Sequence, residues 1–158
     1  MAELRGVLEQ AGHEDVRTHL QSGNVVLSSP LPPRKLEAQL EQQLADGLRM
    51  DVSVLVRTRA ELARVVARDP LRSVVTNRAH YMVSFLSKKL PAKVARELEQ
   101  AEVAPAALAV HRREIYAWYP DGSRRSPAAK LLDDRRLGVV STARNWNTVT
   151  KLLDLLGD

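Results

Sequence analysis

A polar cluster near the end of the chain, Arg144 to Thr148 (RNWNT), has the residue types that hold anions. Val149 and Leu153 follow Trp146 at helical spacing, which predicts a helix that begins between Thr142 and Asn145. The first N–H groups of a helix lack intrahelical partners and attract negative charge. Arg144 at this helix start would hold an anion, with Asn145 and Asn147 orienting it.

The same cluster has a purely structural interpretation. Asn145 or Thr142 would cap the helix, and Trp146 would be buried at the top of its apolar face. The side chains of Arg144, Asn147 and Thr148 would then tie the helix to the turns of the rest of the fold.

A second polar motif, Gln21-Ser22-Gly23-Asn24, lies between two runs of alternating residues and predicts a β-hairpin turn. The structural interpretation is that Gly23 and Asn24 adopt positive φ in a tight turn. In the functional interpretation, the backbone N–H groups of this turn and the side chains of Gln21 and Asn24 form a polar pocket. A strand follows Ser22, so the motif is not a G-x-S-x-G nucleophile elbow.

A third candidate is the pair Arg124-Arg125, which stands directly before Ser126-Pro127. Serine followed by proline is typical of a helix cap and first helical position. Two guanidinium groups at a helix start would suit phosphate. The alternative is an ordinary capped turn with arginines on the surface.

Catalytic and cofactor motifs are absent from the sequence. There is no cysteine, the four histidines share no metal-ligand spacing, and there is no Walker or dinucleotide motif. We therefore predict no metal and no cofactor, and the sequence does not decide whether the protein is an enzyme.

The elements that position these motifs alternate between helix and strand. The first half reads α-β-β-α-β and the second β-α-β-β-α-β, each followed by a helix, which approaches the βαββαβ unit. We predict an α+β fold of two ferredoxin-like halves with antiparallel or mixed sheets and a C-terminal helix. The predicted ranges are 1–69, a linker at 70–79, and 80–158. The first half lacks its opening strand, which would be central in the sheet, so a homodimer that completes the sheet is one expectation.

The sequence resembles the bacterial family called domain of unknown function 1697 over its whole length. The most specific matches are Gln21-Ser22-Gly23-Asn24-Val25-Val26 and Thr142-Ala143-Arg144-Asn145-Trp146-Asn147-Thr148-Val149. Members usually begin with a further strand and a glycine-rich loop, which this chain lacks, so Met1 matches an internal methionine. The resemblance implies two ferredoxin-like halves and no established activity.

The composition limits the classes of ligand that the protein is expected to bind. The formal charge of +5 and pI of about 9.9 favour a phosphate-bearing ligand or nucleic acid, although acidic residues are interleaved with the basic ones. No apolar segment is long enough to cross a membrane. We predict a bacterial cytoplasmic module that binds an anionic small molecule, nucleotide or RNA. The alternatives are an enzyme that joins Ser22, Asn24, Arg144 and Asn147 in one pocket, and a structural or dimerisation protein.

Overall fold

The computed structural model describes residues 2–19 and 23–157, and it has the α+β fold that the sequence predicts. Within these residues, the helices are α1 (Ala2–Gln10), α2 (Pro33–Leu48), α3 (Arg59–Arg68), α4 (Ala92–Gln100), α5 (Pro127–Lys130), α6 (Asp134–Leu137) and α7 (Trp146–Leu156). The strands are β1 (Glu14–His19), β2 (Asn24–Ser28), β3 (Tyr81–Leu86), β4 (Ala107–His111), β5 (Glu114–Trp118) and β6 (Ser141–Asn145). Both sheets are antiparallel.

The chain forms two compact units. Unit 1 comprises residues 1–62 and 152–158, and unit 2 comprises residues 63–151. The ranges 1–69 and 80–158, which describe topological halves, stay a prediction.

Unit 1 places a two-stranded sheet, β1 with β2, against α1 and α2. Proline at position 33 begins α2, because its fixed φ suits the first helical position. Leucines four residues apart on α2 then share one face, and two of them join Leu8 of α1 and Val16 of β1 in an apolar core. The spacing of four is therefore what brings the hairpin and both helices together.

The sequence predicts a strand over residues 51–58, as the last strand of the first half, but this prediction is wrong because the segment lies outside both ladders. Its backbone N–H groups are bonded elsewhere: those of Val54 and Val56 donate to Oε1 of Glu41 and of Glu37, each at 2.9 Å. Because these two carboxylates lie one turn apart on α2, they match the two-residue repeat of an extended chain.

Unit 2 contains a four-stranded sheet in the order β4-β5-β3-β6. The register pairs Tyr81 with Trp118 at one end and Phe85 with Glu114 at the other. Connections therefore fall at opposite ends of the sheet: the β4–β5 turn follows His111, and the loop to α5 follows Trp118.

The two faces of this sheet have different contents. Leu86 and Ile115 point to the face covered by α4 and α6, where they pack with Leu98 and Leu137. Residues of opposite parity, which point to the other face, include the aromatic side chains of β3 and β5. Both faces are buried, so the sheet is the centre of the unit 2 core.

Candidate functional site

The sequence suggested that Arg144 stands in the first turn of a helix, but this prediction is wrong. Arg144 lies on β6, where it pairs with Val83 of β3, because the antiparallel ladder extends to Asn145 and the helix begins only at Trp146. The guanidinium donates from Nη1 to Thr142 Oγ1 at 2.6 Å and to the Ala143 carbonyl at 2.8 Å. Burial lowers the pKa of Arg144. This arginine is therefore held along its own strand.

The rest of the RNWNT cluster serves the start of α7. Asn145 Oδ1 accepts the backbone N–H of Thr148 at 2.9 Å, which confirms that Asn145 caps the helix. Trp146 is buried, as predicted, and Thr148 is buried beside it, whereas Asn147 is exposed. The cluster thus starts a helix, and Asn147 is its most exposed residue.

The Trp146 ring belongs to a buried polar and aromatic cluster in unit 2. It stacks on Tyr81 with ring centroids 4.7 Å apart and planes 10° from parallel. The guanidinium of Arg78 lies 5.2 Å from the Trp146 centroid and 3.1 Å from Asp69 Oδ2. Burial raises the pKa of Tyr81, and the Asp69 carboxylate adds to the shift. One carboxylate oxygen, Asp69 Oδ1, is buried without a hydrogen-bond partner among the described residues.

In the hairpin motif, Gln21 and Ser22 lie outside the described residues. Gly23 has a φ of +83°, as the turn interpretation predicts. Asn24 was expected to share that conformation but instead begins β2, buried, with its amide donating to the His19 carbonyl at 3.0 Å. Asn24 therefore closes the hairpin. It belongs to unit 1 and Arg144 to unit 2, and the hypothesis that joins the two motifs in one catalytic pocket stays a prediction.

Arg124 and Arg125 are exposed in the loop before α5, at the end of the sheet where β3 begins. The expected cap is wrong in detail: Ser126 precedes Pro127, but its side chain makes no capping bond, and α5 has only four residues. A helix this short has few aligned peptide units, so its dipole gives the two arginines little support as an anion site.

The aromatic side chains on which the bases of a bound RNA could stack do not form an exposed platform. All five are buried, at 0 to 7% exposure: Tyr81, Phe85, Tyr116, Trp118 and Tyr119. The Tyr116 hydroxyl donates to the Val65 carbonyl at 2.8 Å, and burial raises the pKa of Tyr119 to about 12. These rings make the core of unit 2, and none of them is placed to stack on a base.

The positive charge is concentrated in unit 2. Residues 63–151 contain 17 lysines and arginines and eight aspartates and glutamates, a formal charge of +9. Unit 1 has seven basic and 11 acidic residues, a formal charge of −4. The overall charge of +5 therefore understates the potential around unit 2.

A basic groove lies where the β4–β5 turn meets the loop before α4. Its cavity of about 290 Å³ is lined by Lys89, Leu90, Ala95, Glu99, Val110, His111 and Arg112. The apolar lining residues are Leu90, Ala95 and Val110, and the basic ones are Lys89, His111 and Arg112. Glu99 is the acidic member of the lining. A small anion with an apolar neighbour would fit such a site.

Two observations describe the electrostatics of this basic groove. Burial lowers the pKa of His111, and the positive charges of Arg68 and Arg112 lower it further, against the opposite effect of Glu114. Arg112 has a φ of +52°, a left-handed conformation that side chains other than glycine and asparagine rarely adopt. The turn thus presents a guanidinium beside a ring that already lies in a positive potential.

The basic groove was not predicted from the sequence, although the sequence contains a signal for it in two basic pairs. Lys88-Lys89 and Arg112-Arg113 are basic pairs that each follow a strand, and a charge count by half would have separated the two units. What the sequence lacked was the pairing of β3 with β5, which brings the two turns to one end of the sheet.

Two classes of site find no support in the described ranges. No group of three histidines, aspartates or glutamates there could hold a metal ion. None of the helices described combines the length and apolar character needed to span a membrane.

Comparison with known proteins agrees with this architecture. No curated protein matches the chain. Among solved structures, the conserved bacterial protein SP0830 from Streptococcus pneumoniae is similar in fold, with a TM-score of 0.75 and 23% identity, over 99% of this chain and 88% of that one. The family model described as "Protein of unknown function (DUF1697)" matches residues 1–116. The chain therefore belongs to the DUF1697 family of proteins of unknown function.

Proposed function

We propose that the protein is a binding module for a small phosphate-bearing ligand such as a nucleotide, which it holds in the basic groove of unit 2. The observation that carries this proposal is the convergence of Lys89, His111 and Arg112 on one cavity, in a unit whose formal charge is +9. Lysine and arginine are the usual partners of phosphate oxygens, the first as a point charge and the second through paired N–H groups.

The groove also sets the size of the ligand. A cavity of about 290 Å³ lies at the lower end of the range that proteins use for small molecules. It suits a phosphate with a small organic substituent over Leu90 and Val110, and it leaves a larger ligand partly in solvent. The proposal therefore favours a nucleoside monophosphate or a sugar phosphate over a long polymer.

RNA is the less favoured phosphate-bearing ligand. Single-stranded RNA is usually recognised by stacking of its bases on exposed aromatic rings. Tyr81, Tyr116 and Trp118 are the rings on which such stacking would depend, and all three are buried. Contacts to an RNA backbone would then rest on charge alone, with little sequence preference and a steep dependence on salt.

Calorimetric titration at low ionic strength tests the proposal with nucleoside monophosphates, inorganic phosphate and a single-stranded RNA. The Arg112→Asn variant removes the guanidinium but tolerates positive φ, so the turn is kept. The matched control, Arg124→Ala, removes one exposed arginine at the opposite end of the sheet.

Losing a charge-assisted bond costs about 1.5–3 kcal/mol, so we expect Arg112→Asn to weaken phosphate binding about tenfold or more. Arg124→Ala should change it less than about twofold. No binding of any phosphate compound would contradict the proposal. Binding of RNA alone, with an equal loss in both variants, would replace it by non-specific attraction to a basic surface.

A second proposal, a homodimer, rests on the sheet of unit 1. This sheet has two strands among the described residues, so each strand leaves one edge outside the ladder. Segment 52–58 is extended and packs Val54 and Val56 on the same core as β2 without joining a ladder. Val54 and Val56 donate their backbone N–H groups to Glu41 and Glu37. The backbone groups of Ser53 and Leu55 alternate with them and therefore lie on the opposite edge of the segment, where a second chain could pair.

Light scattering tests the dimer. The Leu55→Pro variant removes one outward N–H group and leaves both glutamate bonds in place, so it should convert a dimer into a monomer. A wild-type protein whose mass stays near 17.6 kDa at high concentration would contradict this second proposal.

We also propose a ferredoxin-like topology for unit 2 and a cytoplasmic location in a bacterium for the protein. The order β4-β5-β3-β6, with α4 between β3 and β4, supports the description of unit 2 as a ferredoxin-like sheet. The bacterial structural relative fits the bacterial part of the proposed location. Fractionation of the native host would test the location.

A further inference from the structure

We propose that His111 couples ligand binding in the basic groove to protonation, so that the ring takes up a proton when an anion binds and affinity rises as the pH falls. This inference rests on the proposed function and adds its regulation. It assigns to His111 a role different from that of Lys89 and Arg112, because lysine and arginine are residue types with reference pKa values far above neutral pH.

The His111 side chain lines the basic groove. His111 is the last residue of β4, pairs with Glu114 across the turn, and forms part of the groove wall beside Arg112. It is partly exposed, so protons and ligand reach it from solvent. An anion seated in the groove therefore lies against the ring.

The charged groups around the ring come from five parts of the fold. Arg68 at the end of α3, Arg112 in the turn and Lys89 in the loop before α4 are positive, whereas Glu99 of α4 and Glu114 of β5 are negative. Of these residue types and histidine, only histidine has a reference pKa between 5.5 and 7.5. A charge change of the groove in that window therefore belongs to His111.

The surroundings of the His111 ring disfavour its charged form. Burial and the positive charges of Arg68 and Arg112 lower the pKa of His111 below its ordinary value of 6.5. A bound dianion supplies the opposite potential and raises that pKa again. By linkage, any ligand that binds the protonated form better must bind more tightly where that form is populated.

Sulfate is the suitable probe because its double charge does not change between pH 5.5 and 7.5. We expect wild-type sulfate affinity to be about threefold to tenfold higher at pH 5.5, since tenfold corresponds to one unit of pKa shift. His111→Gln should remove the pH dependence and bind at both values as the wild type does at pH 7.5. His80→Gln, at the opposite end of the sheet, is the matched control and should keep it.

Ring NMR signals give a second readout. The His111 signals should titrate below the ordinary histidine range without sulfate and at higher pH with it. Sulfate affinity that is equal at both pH values, or that keeps its pH dependence in His111→Gln, would overturn the coupling and leave the proposed function standing. No sulfate binding at either pH would overturn both.

Discussion

Trp146, the first residue of α7, stacks on Tyr81, the first residue of β3, with planes 10° from parallel. The contact joins the start of α7 to the start of β3. It forms because β6 pairs with β3 and ends one residue before Trp146. It explains why a tryptophan stands within a polar cluster: the ring fixes the helix start against the sheet, and Arg78, which lies over the Trp146 ring, pairs with Asp69.

The first prediction concerns this stack. Trp146→Ala should lower the free energy of unfolding by about 3–5 kcal/mol, because it removes a large buried ring and leaves a cavity over Tyr81. Trp146→Phe should lower it less, since a smaller ring still stacks. Denaturant unfolding measures both. An alanine variant as stable as the wild type would contradict the assignment of Trp146 to the core.

The second prediction separates the cap from the exposed amide next to it. Asn145→Ala should cost about 1 kcal/mol of stability, because it removes the acceptor for the Thr148 N–H, and Asn145→Asp should cost less. Asn147→Ala is the matched control and should change stability by less than about 0.5 kcal/mol. Equal losses at the two positions would argue against the cap.

The third prediction uses the tyrosines, all three of which have raised pKa values. Tyrosinate absorbance of the native protein should not appear near pH 10, and Tyr119 should be half ionised near pH 12, the value to which burial raises its pKa. Unfolded tyrosines titrate near pH 10 and bind protons less tightly than the folded ones, so the free energy of unfolding should fall as the pH rises above about 10. A native titration with a midpoint near pH 10 would show that these hydroxyls reach solvent.

The fourth prediction concerns the packing of α1 on α2. A Cβ atom at Gly47 would lie 2.6 Å from Cγ1 of Val7, so Gly47→Ala should destabilise the protein by about 1 kcal/mol. In a Val7→Ala background the clash is gone, and the same change should stabilise by up to about 1 kcal/mol through helix propensity. A double-mutant cycle in which the two changes are additive would contradict the contact.

Local signals in the sequence were reliable where one residue type has one structural use. Thr58 accepts the N–H of Glu61 at the start of α3, Pro33 begins α2 and Asn145 caps α7, as their types predict. The start of α7 was placed too early because nothing local distinguishes the end of β6 from a helical turn. Only the ladder with β3 makes Arg144 a strand residue.

The dependence on strand pairing also explains why the basic groove could not be predicted from the sequence. Each basic pair is visible in the sequence, but a groove exists only where two turns distant in the chain meet, and this depends on strand order. The extended segment 52–58 shows the converse. Its valines predict a strand, yet Glu37 and Glu41 bond the N–H groups that a neighbouring strand would have used.

The most direct test of phosphate binding in the basic groove is an NMR titration of the backbone amides with inorganic phosphate at low ionic strength. The account predicts saturable shifts confined to Lys89, Leu90, His111, Arg112 and their neighbours. Shifts centred on Arg124 and Arg125 or on Arg144, or the absence of saturable shifts anywhere in unit 2, would contradict it.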